Sequence, residues 1–321
     1  MKFLTALFVV ALLTGCDGQS ARPSLPQSVT ERRARGASGS NGDLLYVPLG
    51  FHLSIYSYPD LKRIRVVDLW PLALGLWTSS DPETGDVCFD NYAEVLIFKH
   101  GATSPYVTIA QPPSAETIDC ALDPATNDLA ITYSVAGSND NWVAVYKSPY
   151  NGSPKAYSDP GMAYMQFAGY DADGDLFIDG ESSPSGCECL VDELAKGSGK
   201  LIELQKNEAL APVGPLSWDG QYMTMTVENV IDRFTVSGST VTVVGKTSYN
   251  DVTSGDSFAF QGSTAIGRVL YKGADRKLRH IGFWQYPNGQ NPFKIIDVFR
   301  TKKDLDWAVG IPAISVAPSE K

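Results

Sequence analysis

The stretch Tyr170-Asp171-Ala172-Asp173-Gly174-Asp175-Leu176-Phe177-Ile178-Asp179 constrains the fold more than any other, because its pattern returns at near-regular intervals along the chain. It predicts a β-hairpin: a strand ends at an Asp, a polar turn containing Gly follows, and an alternating strand begins. Cognate segments are Asp81-Pro82-Glu83-Thr84-Gly85-Asp86-Val87-Cys88-Phe89, Asp123-Pro124-Ala125-Thr126-Asn127-Asp128-Leu129-Ala130-Ile131 and Asp219-Gly220-Gln221-Tyr222-Met223.

Each repeat parses as four short strands, a to d. The b strands are Leu44-Leu45-Tyr46-Val47, Val87-Cys88-Phe89-Asp90, Leu129-Ala130-Ile131-Thr132, Leu176-Phe177-Ile178, Tyr222-Met223-Thr224-Met225 and Val269-Leu270-Tyr271. The c strands carry an aromatic near a turn at Tyr56, Phe98, Tyr146, Phe234 and Trp284, with Leu194 in its place in the fourth unit. These positions are 42, 48, 48, 40 and 50 residues apart, the period of a propeller blade of four antiparallel strands. The first unit starts at a b strand, whereas an apolar segment at 307–316 follows the sixth d strand. That tail is expected to supply the missing a strand of the first blade and close the ring, so that each blade keeps only a short outer edge. The fold predicted is all-β, a six-bladed propeller over residues 43–321.

The N-terminus carries a different signal. Lys2 precedes an apolar run at 3–13, too short to cross a bilayer as a helix, which reads as a secretion signal over residues 1–15. Leu13-Thr14-Gly15-Cys16 resembles the bacterial lipobox. That resemblance implies a diacylglycerol on the Cys16 sulfur and a mature chain beginning there, anchored in a membrane of the cell envelope by two or three acyl chains. Residues 16–42, rich in Gln, Ser, Pro, Arg and Gly, read as a disordered tether, with Arg32, Arg33 and Arg35 available to anionic headgroups. Without the signal and tether, 21 basic residues face 34 acidic ones, a net charge of about −13. Such a surface repels nucleic acid, so nucleic-acid binding is excluded.

The blade motifs resemble the broad NHL and SMP-30-like propeller group, and the opening Leu44-Leu45-Tyr46-Val47 with Leu53-Ser54-Ile55-Tyr56 is similar to YVTN-style bacterial surface repeats. These motifs specify a fold and not a chemistry. The resemblance to SMP-30-type lactonases would imply a divalent cation in the central channel polarising a carbonyl. The a strands offer few ligands for one, chiefly Asp119 and Asp256, and the family's Glu and Asn set is missing. A calcium loop at Asp171, Asp173 and Asp175 fails too, since Gly174 is fourth and Ser182 stands where a bidentate Glu is required. His52, His100 and His280 lie near c strands, away from any nucleophile elbow. Neither a metal nor a cofactor is expected.

The remaining candidates are aromatic and amide groups on loops gathering at one mouth of the channel. The d–a connections bring Trp70, Trp77, Tyr164, Asp256 and Trp307, and the b–c connections bring Asn91, Asn139, Asn141 and Trp142. Tryptophans beside amides suit a glycan, a peptide segment of an envelope protein, or another small molecule. The alternative for Trp70, Trp77 and Trp307 is to wedge between blades as core, whereas Trp142, flanked by Asp140 and Asn141, is expected to be exposed. With Cys16 assigned to lipid, Cys88, Cys120, Cys187 and Cys189 remain. Cys88 and Cys120 fall on adjacent strands of neighbouring blades and would form a disulfide or stay as two buried thiols. The Cys187-Glu188-Cys189 pair would be a structural bond, free thiols, a redox couple or a soft-metal clip. The function expected is a lipid-anchored, non-catalytic binding or scaffolding module. Its rival is a metal-dependent lactonase-like hydrolase.

Overall fold

The structure, a computed structural model, describes residues 29–31, 42–69, 77–91, 93–135, 138, 140–182, 188–206, 213–250, 258–269, 280–298 and 310–318. Among them there is no helix, and the strands form six antiparallel sheets arranged as the blades of a ring. From strand a outward, blade 2 is Thr78–Ser80, Val87–Asp90, Glu94–Phe98 and Val107–Ala110; blade 3 is Glu116–Leu122, Leu129–Ser134, Trp142–Tyr146 and Lys155–Tyr157. Blade 4 is Tyr164–Tyr170, Leu176–Glu181, Cys189–Leu194 and Ile202–Glu203; blade 5 is Leu216–Trp218, Met223–Val227, Val230–Ser237 and Thr240–Ser248. Blade 6 is Ala259–Gln261, Thr264–Val269, His280–Gln285 and Lys294–Asp297.

Blade 1 joins the two ends of the chain. Ala313–Ser315 pairs antiparallel with Leu44–Leu49, which continues through His52–Ser57 to Arg63–Asp68. The tail therefore supplies strand a, as its apolar sequence requires. Side-chain bonds secure the closure: Thr78 Oγ1 donates to the Ile311 carbonyl at 3.1 Å, and the Ala317 amide donates to Asp43 at 3.0 Å. Ser315 donates to the Gly85 carbonyl and lies 2.7 Å from His100 Nδ1.

The repeated hairpin has a physical cause at each turn. The first Asp of the motif accepts the backbone amides that follow it: Glu83 and Thr84 on Asp81, Ala125 on Asp123, Asp173 and Asp175 on Asp171, and Gln221 and Tyr222 on Asp219. These are Asx turns, a role for which the short carboxylate is suited. Gly85, Asn127 and Gly174 share one place in the turn and all have positive φ, of 71°, 56° and 83°. Only Gly, or an Asn, occupies that conformation without strain. The second Asp ties the turn to the neighbouring c–d connection: Asp86 accepts Lys99 Nζ at 2.7 Å and Tyr106 OH at 2.8 Å, and Asp128 accepts Lys147 Nζ at 2.5 Å.

Blade 6 departs from the sequence expectation. Its b strand is Thr264–Val269 and not a strand beginning at Val269, because Gln261 pairs directly with Thr264 across a two-residue turn at Gly262 and Ser263. Without the longer Asp turn, strand b starts several residues early. Two further strands lie outside the four-strand pattern. Gln205–Lys206 runs parallel to Thr240–Ser248 on the edge of blade 5, and Val29–Glu31, within the segment read as tether, pairs antiparallel with Val107–Ala110 on blade 2.

The core is divided among the six seams between blades. Leu44 and Tyr46 face blade 2, packing with Val87, Phe89, Leu96 and Phe98, whereas the alternate residues Leu45 and Val47 face blade 6 with Ile266, Ile281 and Phe283. Burial on both faces explains why strand b reads as a continuous apolar run. The blade 2–3 seam contains the Cys88–Cys120 disulfide, which joins strand b of one blade to strand a of the next.

Candidate functional site

The inner strands of all six blades enclose a channel of about 320 Å³. The partly exposed aromatic residues Trp77, Trp218 and Phe260 line it together with Thr78, Ser79, Ser217 and Gln261, whereas Tyr170 and Phe258, which also border it, are buried in the blade seams. Neighbouring rings brace several of these. Trp77 meets Phe167 edge-on at 4.4 Å between centroids, and Phe260 lies 4.8 Å from Tyr286. The Tyr286 hydroxyl in turn donates to Asp219 at the rim formed by the a–b turns.

Only two carboxylates, Asp119 and Asp219, reach the described wall, and both are committed to the fold. Asp119 Oδ1 accepts the Cys120 amide at 2.8 Å and Oδ2 accepts the Ala168 amide of the next blade at 3.0 Å. Burial, reinforced by the charges of Asp90 and Asp179, holds its carboxyl well above the usual range. Asp219 accepts two amides of its own turn besides the Tyr286 hydroxyl. The pattern of Asp119 recurs at other blade junctions. Asp179 accepts the amides of Phe167 at 2.9 Å and Gly214 at 2.8 Å, Asp90 accepts the Thr117 hydroxyl, and Thr132 donates to the Gln166 carbonyl at 2.6 Å. These buried groups rivet one blade to the next.

The channel-mouth candidates separate accordingly. Trp77 lines the channel. Asn91 caps its own turn, accepting the amides of Ala93 and Glu94 at 3.0 and 2.7 Å, and Asn141 is buried and donates to the Ala163 carbonyl. Trp142, expected to be exposed, is only 5 % exposed. Its ring stacks on Tyr133, its cross-strand partner, at 5.2 Å, and the polar neighbours that suggested exposure belong to the turn and not to its face of the strand. Tyr164 is half-buried at the start of its strand. Trp70, Asn139, Asp256 and Trp307 lie outside the described residues, as do Cys16 and Cys187. Among the described residues Cys189 has no disulfide partner; it is partly buried, and burial pushes its thiol pKa up to about 12, which disfavours the thiolate.

Trp218, Phe260 and Gln261 were not singled out by the sequence. Their signal was weak: each belongs to a three-residue inner strand, where alternation is too short to show which face looks to the axis.

Other chemistries find little support in the wall. Among the described residues, no group of three His, Cys, Asp or Glu is placed to hold a metal ion. The described residues thus do not fit the divalent cation of a lactonase-type channel, whose ligands would be carboxylates free of other partners. The His100–Ser315 pair resembles a catalytic couple only in distance, for Ser315 is fully buried and donates to a backbone carbonyl at the ring closure.

No protein family model matches the chain, and no curated protein does either. Solved structures do. A protein of unknown function from Bacteroides caccae aligns with 85 % of this chain and 99 % of its own, with a TM-score of 0.57 and 10 % identity. A chain of the nidogen/laminin complex aligns over 86 % and 100 %, with a TM-score of 0.60 and 10 % identity. The β-propeller domain of Cps50 (Swd1) from Myceliophteria thermophila aligns over 85 % and 90 %, at 0.53 and 12 %. The fold is a six-bladed β-propeller. At such low identity the likeness extends to the fold alone.

Proposed function

We propose that this chain is a lipid-anchored, extracytoplasmic propeller that binds a small ligand or the end of an extended glycan or peptide in its channel, without catalysis. The observation that carries the reading is the channel wall itself. Partly exposed aromatic residues stand there among residues with hydroxyl and amide groups, and its two described carboxylates are held by backbone amides. Stacking on Trp77, Trp218 and Phe260 with hydrogen bonds from Ser217 and Gln261 suits a sugar or a peptide backbone. The lipobox at Cys16 supports the anchor, and the Cys88–Cys120 disulfide suits an oxidising compartment.

The test is a tryptophan-fluorescence titration with oligosaccharides and short peptides. Trp218→Ala and Trp77→Ala are each expected to weaken any bound ligand at least tenfold while leaving the far-UV spectrum unchanged. A ligand that binds both variants like the parent refutes the channel. Cys16→Ser is expected to move the protein from the membrane to the soluble fraction, and continued membrane retention refutes the lipid anchor.

One observation favours a second reading, a scaffold that contacts envelope partners through its blade edges. The exposed large apolar residues Ile64, Ile202, Val244 and Ile295 all sit on outer strands, and Phe293, 61 % exposed, directly precedes one. Replacing Phe293 and Ile295 by Ser would abolish capture of such partners by chemical cross-linking and leave channel binding intact.

A further inference from the structure

The strand Val29–Glu31 decides how the chain leaves the propeller toward its own N-terminus. It pairs antiparallel with the outer strand of blade 2, with Val29 opposite Ile109, Thr30 opposite Thr108 and Glu31 opposite Val107. Val107–Ala110 runs from the rim of the a–b turns, near Asp81, to the rim where strand d hands over to the next strand a, near Trp77. An antiparallel partner runs the other way. Val29 therefore lies at the Trp77 rim and Glu31 at the Asp-turn rim, which is also where Asp43 opens the first blade.

We infer that this strand is a clasp that turns the propeller's d–a rim, at blade 2, toward the membrane, and presents the Asp-turn mouth of the channel to the surrounding compartment. The inference rests on the lipid at Cys16. From there only residues 17–28 separate the anchor from the clasp, and the chain reaches the protein at the Trp77 rim. A linker of twelve residues with this polar composition would reach about 20 Å, against about 30 Å for one of the length of residues 17–42. Arg32, Arg33 and Arg35 follow the clasp in the chain instead of preceding it, so they do not belong to the stretch next to the lipid. The mouth left open to solution is the one bounded by Trp218, Asp219 and Gly262, and a soluble ligand would enter past Trp218 before meeting Trp77.

Two measurements on the full-length lipidated protein test this. In the first, the protein is held in phosphatidylcholine vesicles containing a headgroup quencher, with a fluorophore coupled either at Glu116, exposed at the d–a rim, or at Glu83, exposed in an a–b turn. Quenching at position 116 is expected to exceed that at 83 several-fold; equal quenching, or the reverse, overturns the orientation. In the second, amide exchange of residues 107–110 is compared between the parent and Val29→Pro/Thr30→Pro, whose prolines cannot donate to the ladder. Exchange at least tenfold faster in the variant, together with loss of the 116-to-83 difference, is expected. Unchanged exchange overturns the clasp. Protein that keeps the protection of 107–110 but does not associate with vesicles overturns the orientation through failure of the lipid reading alone, and the two failures are thereby distinguished.

Discussion

Asp192→Asn should stabilise this protein at alkaline pH and do little at acid pH. Asp192 lies on strand c of blade 4, opposite Ile178 and Glu203, and is wholly buried, at 0 % exposure. Its neighbours Leu190 and Leu194 pack into the blade 3–4 seam with Val143, Met162 and Met165. Neither carboxylate oxygen is engaged by an N–H or a hydroxyl. Burial first, then repulsion from Asp159 and Glu203, raises the carboxyl from its ordinary 3.8 to about 8. The folded chain therefore keeps this proton where the unfolded chain has lost it. Folding takes up a proton between about pH 4 and pH 8, and stability falls as pH rises through that window. At about 1.4 kcal/mol per unit, the displacement sets a ceiling of about 6 kcal/mol. Relaxation and water entry leave on the order of 2–4 kcal/mol of it. Asn keeps the volume, cannot ionise, and can donate from its amide to Asp159 as the protonated carboxyl does. At about 2 °C per kcal/mol for a domain of this size, the variant should melt roughly 4–8 °C above the parent at pH 8.5, and within about 2 °C of it at pH 5. Calorimetric melts of both proteins from pH 5 to 9 decide the matter. Parallel curves, with the same difference at pH 5 and pH 8.5, would refute the argument.

The other expectations follow from single contacts. Cys88→Ala/Cys120→Ala opens a loop of 32 residues and should lower the denaturant-unfolding free energy by about 3–4 kcal/mol. Gly85→Ala places a Cβ at positive φ against the Val316 carbonyl and His100, at the ring closure, and a loss of at least about 2 kcal/mol is expected in the same assay. Excess calcium, set against excess chelator, should move the melting point by less than about 1 °C, because the Asp turns spend their carboxylates on backbone amides. A clear rise with calcium would return Asp119 and the Asp171 turn to the list of ligands.

Much of the architecture was legible in the sequence because its causes are local. An Asx turn needs an Asp and, a few residues on, a residue that tolerates positive φ, and both recur from Asp81 to Asp219. Strand b of the first blade opens with a continuous apolar run because both its faces meet a neighbouring blade, and the tail at Ala313–Ser315 stood out as the one strand lacking a blade of its own. Strand b of blade 6 was misplaced because a two-residue turn replaced the Asp motif that located the others.

The candidate site was legible only in part. Trp77 was named from its loop and does line the channel, but the sequence could not tell the burial of Trp142 from the exposure its polar neighbours implied. What covers Trp142 is Tyr133, a partner set by strand register and not by adjacency. Trp218 and Phe260 escaped notice because a three-residue strand has no readable periodicity, and which of its side chains looks to the axis is settled by the twist and closure of the ring. By itself, then, the sequence determined the blade repeat, its turns and the way its two ends meet, since each depends on short-range backbone chemistry. Only the tertiary structure decided which side chains wall the channel, which carboxylates are consumed as rivets between blades, and that Val29–Glu31 finds the bare edge of a strand some eighty residues further on. Those outcomes depend on distances between segments that the chain brings together only by folding.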